Sequence, residues 1–154
     1  MTSNYSITVR TFKGHAGETC FQGSVLLDGK KIGEWSEDAS GGEMWLQCKT
    51  LEDEEKFRAW ANAQPPAVEF EREMRGEREP TRHRDNTEIT VAHMVDKIRE
   101  DKVLRRWCKT KTVVATPGAA KGTFMTLDRT YHPSQDALIL SKYPGAEIIN
   151  KRFG

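Results

Sequence analysis

"CFQGSVLLDGKKIGEWSE", residues 20–37, decides the fold class. Asp28-Gly29 stands between two apolar-rich runs, and an Asp-Gly pair accepts the positive φ angles of a two-residue hairpin turn. A strand is therefore expected over Thr19–Leu27, and another over Lys31–Glu37 with Ile32 and Trp35 as its packing residues. Upstream, "YSITVRTF" (Tyr5 to Phe12) alternates apolar and polar residues at period two and predicts a further strand. Downstream, "SEDASGG" is a polar turn leading into "EMWLQCK" (Glu43 to Lys49). There Met44, Leu46 and Cys48 share one face of a strand, and Trp45 and Gln47 the other. Four short strands at this spacing make an antiparallel meander.

Helical signals follow. Thr50 is placed to cap a helix, with Asp53 in the capping-box position. The acidic run Glu52 to Glu55 complements the positive helix start. Phe57, Trp60 and Ala61 form an i, i+3, i+4 stripe. Gln64-Pro65-Pro66 ends that helix. The stretch from Ala67 to Asn86 is dense in Glu and Arg; Val68 and Phe70 alternate with Glu69 and Glu71, which predicts a short charged edge strand. Beyond Gly76 almost nothing apolar remains to be buried, so a solvated loop or hinge is expected.

A second helix, capped by Thr87 or Thr90, carries Val91, Met94, Val95 and Ile98 on one face. That stripe continues onto Lys102 and Arg105, so the helix either bends near Asp101, the simpler option, or meets a different surface. Lys111–Thr116 and Gly122–Asp128 predict a hairpin. "HPSQDALILSKY" predicts a third helix, with Pro133 in its first turn and Leu138, Ile139 and Leu140 as core. "AEIIN" (Ala146 to Asn150) predicts a last strand. The fold class is α+β: an N-terminal antiparallel meander with helices, then helix, β-hairpin, helix and strand. The expectation is a single domain over residues 1–154, with a charged connector or hinge at about residues 64–87.

Composition narrows the chemistry. The chain of 154 residues is polar, 36% hydrophobic and 31% charged, yet long enough to bury a core without staples. No apolar run approaches the roughly 20 residues of a membrane span, and the N-terminus lacks the apolar centre of a signal peptide. A cytoplasmic location and no membrane partner are expected. Cys20, Cys48 and Cys108 are odd in number and widely spaced, which predicts reduced thiols rather than a disulfide framework. Of these only Cys108, between Arg106 and Lys109, has cations near it in sequence. The net charge of +1 hides an asymmetry: −5 over residues 1–77 and +6 over residues 78–154. This gives either separate faces for acidic and basic partners or two halves that neutralise one another.

No HExxH, zinc-spaced cluster, GxSxG or Walker lysine motif occurs, so neither a catalytic residue nor a metal or cofactor is expected. His83, His93 and His132 read as structural or solvated, with His132 placed to cap the helix that Pro133 begins. "FKGHAGE" (Phe12 to Glu18) offers glycine amides, His15 and Glu18, the makings of an anion nest or an acid–base pair. A phosphate cradle normally feeds a helix. This one feeds a strand, so a hairpin turn is the first reading, a partner-binding loop the second and a catalytic loop the last.

Two binding surfaces compete. "KIREDKVLRRWCKTK" (Lys97 to Lys111) has seven basic and two acidic residues: Lys97, Arg99, Lys102, Arg105, Arg106, Lys109 and Lys111 against Glu100 and Asp101. Clustered cations suffice for phosphate contacts, and Trp107 could stack on a base. The alternative is a solvated face paired with acidic segments of the same chain. The four tryptophans Trp35, Trp45, Trp60 and Trp107 are many for so polar a chain. Trp35 and Trp45 together would fill one core heavily, so one reading exposes one of them at an interface; the other makes all four core or rim aromatics.

"FKGHAGE", "DGKKIGEWSEDASGG", "LRRWCKTKTVV" and "YPGAEIIN" together resemble small uncharacterised proteins carried by bacteriophages and other bacterial mobile elements. The resemblance implies a dispensable accessory protein inside a bacterium. It implies no active site. It implies a non-enzymatic protein that binds and modulates or inhibits a host protein, including one of a defence system. Because tryptophan and arginine favour interfaces, Trp45, Arg105, Arg106 and Trp107 are the contact residues expected for such a protein. The alternative is a nucleic-acid-binding accessory protein that uses the basic helix 97–111.

Overall fold

The computed structural model describes residues 4–38, 44–75 and 85–153. The "SEDASGG" turn lies largely outside them, and so do His83 and residues 76–84 of the charged connector. The chain forms two compact units, Met1–Asp96 and Lys97–Gly154, both of the α+β kind.

The first unit holds an antiparallel sheet of β1 (Tyr5–Ile7), β2 (Arg10–Lys13), β3 (Thr19–Leu27), β4 (Lys30–Glu37) and β5 (Trp45–Cys48). The order is β1-β3-β4-β5, with β2 also paired to β3. The expected turn is present: Asp28 and Gly29 take φ angles of 50° and 84° and leave Leu27 opposite Lys30. The strand expected over Tyr5–Phe12 is divided into β1 and β2, although both keep one register against β3, with Ile7 opposite Val25 and Arg10 opposite Gln22. The division falls at Thr8. Its hydroxyl accepts from Ser24 N at 2.8 Å, while its carbonyl accepts from the indole Nε1 of Trp35 at 3.1 Å. A buried indole N–H needs an acceptor, and a ladder carbonyl supplies it.

Two helices cover this sheet's core. Thr50 caps α1 (Leu51–Asn62) as expected, its hydroxyl accepting from Asp53 N at 3.1 Å. Phe57 and Ala61 of α1 are fully buried beside Tyr5, Ile7, Val25, Trp35 and Leu46. Tyr5 packs edge-on to Phe57 at 5.4 Å and tilted against Trp60 at 5.1 Å.

The edge strand expected around Val68 and Phe70 is instead helix α2 (Pro65–Arg75). Pro65 and Pro66 do end α1, but they also begin α2, because the first turn of a helix needs no N–H and proline presets its φ. Ala67 is buried and Phe70 half-buried three residues on, so the period is helical.

Helix α3 (Thr87–Cys108) runs into the second unit. Neither threonine caps it by the expected side-chain route. Thr87 is its first residue, and Asp85 accepts both Thr87 N at 3.1 Å and Thr87 Oγ1 at 2.6 Å. Thr90 lies inside the helix and donates to the carbonyl of Ala61 at 2.6 Å. Val91 and Val95 are buried in the first unit's core and Leu104 in the second's. The stripe interrupted at Lys102 and Arg105 therefore marks a change in the core that the helix serves.

Asp85 also receives Asn62 Nδ2 at 3.0 Å and Arg58 Nη1 at 2.7 Å. Burial pushes its carboxyl upward, but the hydrogen bonds from Thr87 and Asn62 and the Arg58 charge outweigh this and lower it to about 2. A depressed carboxyl contributes stability above its unfolded value, near pH 4, and loses it as pH falls toward the folded value. Asp85→Asn is thus expected to cost about 1 kcal/mol at neutral pH, the pair being half exposed and screened. Urea denaturation of the two proteins should converge between about pH 5 and pH 2; a gap that persists at the acid end would contradict this.

The second unit is built on a three-stranded antiparallel sheet, β7-β6-β8, of β6 (Thr112–Ala115), β7 (Met125–Leu127) and β8 (Glu147–Ile148). Adjacent residues of β6 point to opposite faces. Val113 packs with Leu104 and Ile149, and Val114 with Ile139 and Ile148. Helix α4 (Asp136–Lys142) follows a 3₁₀ turn capped by His132, whose Nδ1 accepts from Ser134 N at 3.1 Å. Only Ile139 of the three core residues expected in α4 is buried; Leu138 is 69% exposed and Leu140 41%. The last strand is shorter than expected: it ends at Ile148, and Ile149–Arg152 form a 3₁₀ turn. No helix among the described residues is long and apolar enough to cross a membrane.

Candidate functional site

The opening loop is a hairpin connection between β2 and β3. Gly14 N donates to the Glu18 carbonyl at 2.9 Å and Gly17 N to the Gly14 carbonyl at 3.1 Å. The Glu18 carboxylate turns inward and accepts from Ala16 N at 2.9 Å. Its acceptor capacity is thus directed to the turn's own backbone rather than to the exposed ring of His15. Among the described residues no group of three His, Cys, Asp or Glu side chains is arranged to hold a metal ion.

The contact residues expected from sequence fall in different places. Trp45 is 48% exposed on β5, while Trp35 is 1% exposed on the neighbouring strand, so the two divide between surface and core. Trp107 is half-buried and packs on the Leu104, Val113 and Ile149 cluster, which takes much of its surface out of a partner's reach. Arg105 and Arg106 are exposed, as are Lys97, Arg99, Lys102 and Lys109; Lys111 is half-buried.

Four of these cations converge. Lys102, Arg105 and Arg106 stand at i, i+3 and i+4 on one face of α3, and Lys109 follows in the turn just past the helix end. They line one groove of about 790 Å³, closed on its other sides by Tyr131, Asn150 and Phe153 among others. The Arg105 guanidinium lies 4.7 Å above the centre of the Phe153 ring, a cation–π contact that orients it. Among the described residues none of the four has an ion-pair partner. In the acidic first turn of α1, Glu52 pairs with Lys56 at 2.7 Å and Glu54 with Arg58 at 3.5 Å.

The groove's surroundings keep it cationic. Asp136 is held by Lys151 Nζ at 2.6 Å and by Tyr131 Oη, which donates to it at 2.6 Å. The hydrogen bond to Lys151 leads in lowering its carboxyl, and Tyr131 adds to it. Glu147 is taken by Arg152, Nε to Oε1 at 2.8 Å. Burial pushes the Cys108 thiol up against the opposing Arg152 charge, so the thiolate expected of a reactive cysteine is disfavoured. Residues 97–154 hold twelve basic and five acidic side chains, a net +7, against −6 for residues 1–96.

Tyr131, Asn150 and Phe153 were invisible as site residues in the sequence, since each reaches the groove only through the packing of the last forty or so residues onto α3. The cationic spacing was the one available signal. Comparison with family models, curated proteins and solved structures matches none of them to this chain.

Proposed function

We propose that this chain is a non-enzymatic binding protein that holds nucleic acid against the basic face of α3. In the setting its resemblance implies, it is a phage or mobile-element accessory protein acting in the cytoplasm of a bacterial host. One observation carries the reading: Lys102, Arg105 and Arg106 on one face of α3 and Lys109 just past its end share one groove, with no carboxylate paired to them among the described residues. Like charges at i, i+3 and i+4 oppose helix formation by a few tenths of a kcal/mol per pair. The helix C-terminus favours Arg105 and Arg106 in its last turn, which offsets part of that cost. A phosphate backbone supplies the remaining countercharge and releases its own condensed ions on binding.

The test is polarisation of labelled DNA and RNA against salt. Neutralising about four phosphates on a single strand predicts a loss of roughly 50-fold in affinity from about 50 to about 200 mM salt. Replacing Lys102, Arg105, Arg106 and Lys109 by Gln should flatten that dependence and remove most of the binding. Absence of binding at low salt would sink the proposal.

A second reading rests on Trp45, a large aromatic half exposed on an edge strand. Exposed tryptophans anchor protein interfaces, and here the partner would be a host bacterial protein, such as a component of a defence system. Its signature is a host protein captured from nuclease-treated lysate by the wild type and lost with Trp45→Ala.

A further inference from the structure

The groove on α3 differs from a merely basic helix in having aromatic walls, and this bears on which nucleic acid fits. We infer that the ligand is single-stranded, with an unpaired base stacked in the groove on Phe153 and its flanking phosphates on the α3 cations. The inference rests on the nucleic-acid reading above.

Three observations carry it. First, the surface is concave: at about 790 Å³ the groove falls within the range of pockets that enclose a flat organic group. A duplex touches a flat or convex cationic face with its backbone and keeps its bases stacked inside. Secondly, Tyr131 and Phe153 face the same groove as the cations. Base-on-aromatic stacking requires an unpaired base, and it is indifferent to sequence because every base has a π-face. Thirdly, the Arg105 guanidinium lies over one face of the Phe153 ring, 4.7 Å from its centre, which fixes a cation beside the aromatic wall and leaves the base the ring surface that Arg105 does not cover. Trp107, the aromatic that the sequence offers for this role, packs on the same cluster as Phe153 but does not line the groove.

The experiment compares three labelled probes of one length: an oligo(dT) of about 15 nucleotides, an abasic strand with the same number of phosphates, and a duplex with twice that number. Oligo(dT) should bind roughly tenfold tighter than the abasic strand, and Phe153→Leu should lower oligo(dT) affinity by a similar factor while lowering that of the abasic strand far less, through the loss of Arg105 orientation alone. Phe153→Tyr keeps the ring and should restore binding; since it also preserves the packing, it covers the case in which Phe153→Leu unfolds the unit, which near-UV circular dichroism detects. Equal affinity for all three probes, or a Phe153→Leu loss shared equally by the abasic strand, would overturn the inference and leave the phosphate-binding reading standing. No binding of any probe at low salt would remove both.

Discussion

Trp35→Ala is expected to destabilise the first unit by about 4 kcal/mol, and Trp35→Phe by about 2 kcal/mol. Trp35 is 1% exposed and fills the core between β3 and the covering helices. Alanine removes that volume and leaves a cavity. Phenylalanine keeps most of the volume but drops the Nε1 donor, so the Thr8 carbonyl loses the partner it has at 3.1 Å. The cross-strand neighbour of Trp35 is Gly23. A Cβ built on Gly23 would stand 1.7 Å from the Thr8 carbonyl oxygen, a backbone atom that cannot swing away as a side chain can. The missing side chain at Gly23 thus makes room for the carbonyl that receives the Trp35 indole. Gly23→Ala should cost at least as much as Trp35→Phe. In the double variant the carbonyl is free to return to the ladder, so the combined loss should fall short of the sum, as expected of residues that share one interaction. Denaturant unfolding of the four proteins measures this; strict additivity would show that Gly23 and Trp35 act independently.

The same trio shows what was legible in the sequence. The Asp28-Gly29 turn, the Thr50 cap and the His132 cap depend on residues within a few positions of one another, and local chemistry determines them. That one of Trp35 and Trp45 is exposed followed from a volume argument, which did not say which of the two. The break at Thr8 was not legible, because its cause is an indole twenty-seven residues away. Pro65-Pro66 misled because proline stops one helix and starts the next with equal ease, and four alternating residues at Val68–Glu71 are too few to separate period two from period 3.6. Leu138 and Leu140 misled for a different reason: a sheet of three short strands offers a seven-residue helix little surface, and Ile139 alone is buried on it. The cationic half of the site was readable as Lys102, Arg105 and Arg106 at i, i+3 and i+4, with Lys109 just past the helix end. Its aromatic half was not, since Tyr131 and Phe153 carry no local pattern that marks them.

Asn150→Ala is expected to destabilise the second unit by about 3 kcal/mol and to weaken the groove's ligand in step. Asn150 is 7% exposed, and its amide satisfies backbone from two neighbouring elements at once. Oδ1 accepts from Val113 N at 2.8 Å; Nδ2 donates to the carbonyl of Lys111 at 2.8 Å and, more weakly, to that of Cys108 at 3.5 Å. These groups lie at the last residue of α3, in the link that follows and at the start of β6, where the helix ends and the strand begins. Alanine would strand a buried N–H and a carbonyl, each costing about 1–3 kcal/mol. Asn150→Asp sharpens the test: it keeps an acceptor for Val113 N but turns a carboxylate oxygen toward two carbonyls, so it should be no milder than alanine at neutral pH and should recover as the carboxyl protonates. Because Asn150 also lines the groove, the loss should reach the site through the position of Arg105, Arg106 and Lys109 on the loosened helix end. A variant that melts as the wild type does would show the amide to be dispensable. One that melts early but binds unchanged would separate the clamp from the site and place the cations under the control of α3 alone.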